Sequence, residues 1–155
     1  MELYLLRHAK AERAAASDDA RVLTTEGRAA AERVGKFCKT VGIRPELVLT
    51  SPLVRAQETA RLVAAACGGE VLTAPFAASG MSPSVALHYL QEYRRFQSLM
   101  LVGHEPDLSQ LVAALIGLRS SHSLEIHTAT LIGLRLSSFH PGGGTLQFFL
   151  PSSLL

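Results

Sequence analysis

"LYLLRHAK", residues 3–10, runs four apolar residues directly into Arg7 and His8. A short apolar run of this kind has the length of a buried strand rather than a helix. The basic pair then stands at the strand's carboxyl end. Two later segments repeat the arrangement. "ELVLT" (46–50) runs into Ser51 and Pro52, with Arg55 in the turn that follows, and "SLMLV" (98–102) runs into Gly103 and His104. Strand then polar residues three times over, with a helix start close behind two of them, is the pattern of a mostly parallel sheet covered by helices on both faces.

The intervening segments fit that reading. Residues 25–40 are expected as a helix, with Thr24 as its cap, Ala30, Val34, Phe37, Cys38 and Val41 at helical spacing, and Gly42 as its stop. Residues 51–67 are expected as a second helix, with Ser51 as N-cap and Pro52 at its first position. "VLTA" (71–74) reads as a third strand, and Ser82-Pro83 opens a helix through about Tyr93. Pro106 opens another, carrying Leu108, Leu111, Val112, Leu115 and Ile116. The tail differs. "TLIGLRL" (130–136) and "TLQFFL" (145–150) flank "HPGGG", which predicts an antiparallel pair.

Composition bounds what such a fold can do. With 155 residues, 48% hydrophobic and 18% charged, the chain is expected to form one domain, 1–155, with a sizeable core. A net charge of +2 gives no reason to expect a nucleic-acid partner. No apolar run approaches the roughly 20 residues that span a bilayer, so no membrane partner is expected. Arg7 and His8 interrupt the first apolar run too early for a signal peptide. Cys38 and Cys67 have neither metal spacing nor the look of a disulfide framework, so a reducing, cytoplasmic location is expected.

In parallel sheets ligands sit beyond the carboxyl ends of the strands. Three strand ends here deliver Arg7, His8, Arg55 and His104 to one side, and two helix N-termini add positive dipole ends. The sum suits a compact, doubly charged anion, phosphate above all, because a guanidinium fork can hold two of its oxygens. One neutral imidazole can attack phosphorus if its other nitrogen is held by a fixed acceptor, and a second, when protonated, can stabilise the transferring group's equatorial charge. Each residue alone reads as an ordinary loop or surface group; their convergence is the signal. His88, His122, His127 and His140 lack that context, and Arg13 and Arg21 read as solvated charges that could widen the positive field.

"LYLLRHAK", "LTTEG" (23–27), "LTSPLVRAQETA" (49–60) and "LMLVGHEPDLS" (99–109) resemble, in order and spacing, the motifs of the histidine phosphatase superfamily. The resemblance spans residues 2 to about 112 and implies a phosphoglycerate mutase-like fold. It implies that His8 matches the phosphorylated nucleophile and that Arg7, Arg55 and His104 match the phosphate pocket. Position 9 is Ala where the superfamily usually has Gly, and position 14 is Ala where mutases carry a phosphate-contacting Asn. With the short chain and the "RHAK" variant, these point to the small SixA-type phosphohistidine phosphatase branch. Arg7, His8, Arg55 and His104 are thus the catalytic candidates. Arg7, Arg55 and His104, with Ser51 and Lys10, are the substrate-binding candidates. No metal and no cofactor are expected. The expected partner is a phosphoryl-bearing substrate, such as a histidine-phosphorylated protein.

Other readings have their own signals. "CKTVGIR" (38–44) has the bare spacing of a cysteine-dependent phosphatase loop, but Cys38 falls in the last turn of a helix instead of after a strand. A metal hydrolase using His8 and His104 would have to place its cation beside two arginines. No Gly-x-Ser-x-Gly occurs. A small-molecule phosphomonoesterase and a non-catalytic phosphoryl-binding module remain as alternatives. Between 71 and 91 there is no Asp or Glu to protonate an alkoxide leaving group, and Glu105 and Asp107 read as caps or first-turn dipole partners of the helix beyond His104. That absence favours an imidazole leaving group, which protonates near neutral pH.

Overall fold

The computed structural model describes all 155 residues. Six strands form one sheet: β1 (Glu2–Arg7), β2 (Leu47–Thr50), β3 (Glu70–Thr73), β4 (Ser98–Gly103), β5 (Leu131–Leu136) and β6 (Gly144–Leu150). Four α-helices connect them: α1 (Thr25–Val41), α2 (Val54–Cys67), α3 (Pro83–Leu90) and α4 (Asp107–Leu115). The strand order is β3-β2-β4-β1-β5-β6. The first four strands are parallel, while β5 runs antiparallel to both β1 and β6. This is the mixed, mostly parallel sheet that the alternation implied, with the antiparallel pair in the tail.

Alternation along the strands divides the core in two. Leu3, Leu5, Leu47, Leu49, Leu99 and Leu101 face α3 and α4, together with Leu87, Leu90, Leu108 and Leu111. Leu6, Val48, Met100 and Val102 face α1 and α2, together with Val34, Cys38, Ala60 and Val63. Both faces are covered, which is why the central strands carry almost no polar side chains.

Three helix starts match their sequence signals to different degrees. Thr24 caps α1, accepting from Gly27 N, and Gly42 ends it in the left-handed region at φ 80. Ser82 caps α3 with Pro83 in its first turn, but the α-helix ends at Leu90 and residues 91–93 tighten into a 3-10 turn. The expected cap of α2 is corrected. That helix begins at Val54 with Leu53 as its N-cap, so Pro52 lies outside it. Ser51 Oγ does accept from Leu53 N, yet its hydroxyl is committed elsewhere. Cys38 lies fully buried in α1, where the adjacent Cys67 thiol and burial push its own thiol up; it is no strand-to-helix phosphatase loop. No helix is long and apolar enough to cross a membrane.

Candidate active site

Sheet register assembles the site. In the parallel pair β1–β4, Arg7 is level with Gly103, so the next residues, His8 and His104, emerge side by side. Their ring centroids are 5.2 Å apart. In β2–β4, Thr50 is level with Val102, which sets Ser51 beside the start of the His104 loop. Arg55 comes from the first turn of α2. A pocket of about 390 Å³ opens over these strand ends, lined by Arg7, His8, Arg55 and His104, with Lys10 and Glu105 among the other residues around it.

Each catalytic candidate is held from behind. His8 Nδ1 lies 2.8 Å from the carbonyl oxygen of its neighbour Ala9. A carbonyl only accepts, so Nδ1 carries the proton and Nε2 keeps a free lone pair. Ala9 N donates to Thr59 Oγ1 at 3.0 Å, and the same hydroxyl donates to Arg55 O at 2.7 Å. One side chain thus ties the His8 loop to the helix that carries Arg55. Arg7 Nη1 donates to Ile126 O at 2.6 Å. Arg55 donates from Nη1 to Asp18 O and from Nη2 to Asp18 Oδ2. His104 Nε2 meets Ser51 Oγ at 2.7 Å.

What remains unpaired is informative. Four buried side-chain polar atoms have no partner, and three of them, Arg7 Nε, Arg55 Nε and His104 Nδ1, belong to residues lining this pocket. Buried donors are ordinarily satisfied, because an unmet one costs about 1–3 kcal/mol. All three belong to residues lining one pocket, so an acceptor with several oxygens bound there is the group able to satisfy them. The electrostatics agree. Burial pushes His8 down to about 3, with His104, Arg55 and Arg7 adding to the effect against the Ala9 carbonyl. Burial and then Arg55 push His104 down to about 4. Both imidazoles are neutral near pH 7, so the expected protonated second histidine is corrected: burial and Arg55 keep His104 uncharged, and the excess positive charge is that of the arginines.

The remaining predictions sort by position. Lys10 lines the pocket, but its Nζ donates to Glu26 Oε2 at 2.8 Å. Ser51 is fully buried behind His104 rather than among the lining residues. Glu105 lines the pocket while its Oε1 accepts from Ser109 N, the cap-like contact expected of it. Asp107 lies in the first turn of α4, as a dipole partner would, but its side chain does not cap the helix. Its Oδ2 accepts from Gly80 N and Met81 N, tethering the loop that brings Ser79 to the rim. His88, His122, His127 and His140 are exposed and are not among the residues lining the pocket. Arg13 and Arg21, read as solvated charges, line it. Sequence reasoning passed over Asp18, Ser79 and Thr128, since nothing local distinguishes them from loop surface, and it gave Thr59, though inside the quoted 49–60 motif, no role.

The model of the histidine phosphatase superfamily (branch 1) matches residues 3–76. A phosphohistidine phosphatase SixA homolog of Haemophilus influenzae is 32% identical over 145 residues, covering 86% of this chain and 87% of its own. The chain belongs to the histidine phosphatase superfamily. An uncharacterized protein of Picosynechococcus sp. is 37% identical, over 87% of this chain and 85% of its own. The solved structure of the protein histidine phosphatase SixA complexed with tungstate superposes with a TM-score of 0.89 at 25% identity, covering 99% of each chain. Within the histidine phosphatase superfamily these relatives support the small SixA-type branch. The whole-chain structural match includes the antiparallel tail, which the sequence motifs did not reach.

Proposed function

We propose that this protein is a phosphatase that hydrolyses phosphohistidine on a protein, through a covalent phosphohistidine at His8. The observation that carries this reading is the set of three unpartnered buried donors, Arg7 Nε, Arg55 Nε and His104 Nδ1, on residues that line one pocket with the neutral imidazole of His8. In the first step His8 Nε2 attacks phosphorus and forms an N–P bond. The substrate's ring, protonated from solvent at its other nitrogen before the step, takes the electron pair of its own N–P bond and leaves as neutral imidazole. Water then attacks phosphorus, the electron pair of the His8 N–P bond returns to Nε2, and inorganic phosphate departs with one of the water's protons while the other passes to solvent. Arg7 and Arg55 hold the equatorial oxygens throughout. Ser51 acts through His104. With its Oγ accepting from Leu53 N, its hydroxyl hydrogen can donate to His104 Nε2, which puts the imidazole proton on Nδ1.

The leaving group follows from the carboxylates. Glu105 is the one acidic residue lining the pocket, and one of its oxygens is engaged by Ser109 N. A departing imidazole needs less help from an acid than a departing alkoxide does. The SixA homologues, named as phosphohistidine phosphatases, support the same substrate class. The test compares kcat/KM for a phosphohistidine peptide and a simple alkyl phosphate at one pH. The peptide is expected to win, and preference for the alkyl ester would overturn the assignment and point to Glu105 as the acid. His8→Ala is expected to fold, to take up no acid-labile phosphate and to lose essentially all turnover.

A further inference from the structure

A guanidinium carries five N–H donors in a planar fork. At Arg55 two of them go to a single residue: Nη1 to Asp18 O at 2.9 Å and Nη2 to Asp18 Oδ2 at 3.2 Å. Together these occupy the end-on edge of the fork. The side-on edge, formed by Nε and the second N–H of Nη2, is left over, and its Nε is buried without a partner. Asp18 comes from a short 3-10 turn, Asp18–Ala20, in the loop between β1 and α1. That loop is closed at its base by the Ala11–Leu23 bridge and by Glu12 N donating to Val22 O. Arg21 steadies the acid from the other side, donating from Nη1 to Asp18 Oδ1 at 3.0 Å and from Nε to Glu12 O at 2.6 Å.

We propose that Asp18 is a positioning residue of this site: by holding the end-on edge of Arg55 it turns the side-on edge toward the phosphoryl group, without touching that group itself. Two effects of its charge oppose each other. A carboxylate near a bound anion repels it, but the Asp18 side chain is 62% exposed and shared between two arginines, so that repulsion is screened. Arg55 is only 5% exposed, so losing an acceptor there leaves a donor unmet and frees the fork to rotate. The second effect dominates. The proposal rests on the reading above only in taking the pocket to bind a phosphoryl group.

The experiment is therefore direct binding of inorganic phosphate, together with the Arg55 Nε–H resonance in a nitrogen-resolved spectrum. Asp18→Ala is expected to weaken phosphate binding about tenfold or more, the loss of one charge-assisted hydrogen bond. It should also shift and broaden the Arg55 Nε–H signal, with the backbone amides of 12–22 still in their native positions. Since the two Asp18 oxygens accept from different arginines, Asp18→Asn is made in an Arg21→Ala background, where the single amide oxygen is free for Nη2, and is expected to stay within about threefold of that background. Unchanged or tighter binding by Asp18→Ala would overturn the proposal, since Asp18 would then be idle or a competitor of the anion. Equal losses in the Ala and Asn variants would overturn it too, assigning the effect to charge instead of orientation. Phosphate binding without phosphohistidine turnover by the wild-type protein would count against the proposed function and leave this inference standing.

Discussion

Arg55 and Lys10 both border the pocket, and their surroundings separate them. Arg55 is 5% exposed and its Nε has no partner, so its charge acts at close range in a poorly solvated site. The Lys10 side chain is 59% exposed and already paired with Glu26. Exposed pairs of that kind are worth little. Arg55→Ala is therefore expected to cost on the order of 10²-fold or more in kcat/KM. Lys10→Ala is expected to cost no more than about threefold, the scale of a screened surface charge. Steady-state kinetics on the two variants decides the matter, and equal losses would mean that the anion sits nearer the rim than the buried donors indicate.

At the scale of elements, the first turn of α1 is pressed against the segment that follows β1 and carries His8. Lys10 O accepts from Thr24 N at 2.9 Å and from Thr24 Oγ1 at 3.3 Å, so the helix cap and the residue just past His8 and Ala9 share one carbonyl. Gly27 allows that approach: a Cβ built there would lie 2.1 Å from Lys10 O. In an exposed helix, Gly→Ala stabilises by roughly 1 kcal/mol. Here the sign reverses, because the obstacle is backbone and cannot rotate away. Gly27→Ala is expected to destabilise by about 1–3 kcal/mol, the range of overpacked sites. It should also weaken phosphate binding by displacing the His8 loop. Urea unfolding provides the measurement, and a stabilised variant would show that the loop yields freely.

For the molecule as a whole, the buried histidines link stability to pH. His8 and His104 are held at about 3 and about 4 in the folded state, against about 6.5 for an unfolded chain. Between these values the unfolded chain binds more protons, so stability rises with pH. Their contribution is complete above about pH 6.5 and is lost progressively as pH falls toward 4. Each histidine adds at most about 1.4 kcal/mol per pH unit to that slope. Carboxylates titrate in the same window, so the useful quantity is the difference between two curves. In phosphate-free buffer, His8→Asn is expected to lose stability less steeply than wild type between pH 6.5 and 4. Parallel curves would mean that His8 is not held neutral by burial.

The alternation of strands and helices and the strand-end positions of Arg7, His8 and His104 were all determined by the sequence alone. Each is a local matter: an apolar run of strand length places its next residue at a sheet edge whatever the rest of the chain does. Thr24, Ser82 and Gly42 were legible for the same reason, since a cap acts within one turn. The superfamily was legible because its motifs lie along those same strand ends. Ser51 shows where local reading stops. Its place before a proline suggests a cap, but β2 and β4 align Thr50 with Val102, and that register turns the hydroxyl to His104, 53 residues away. The contacts of Asp18 and Thr59 were likewise invisible, one reaching Arg55 across 37 residues and the other joining Ala9 to α2. Contacts of this kind depend on strand register, on how the 11–23 loop closes and on how closely α1 and α2 pack. Those features are settled only when the whole chain buries its apolar faces, so tertiary structure alone decided how the catalytic candidates are held.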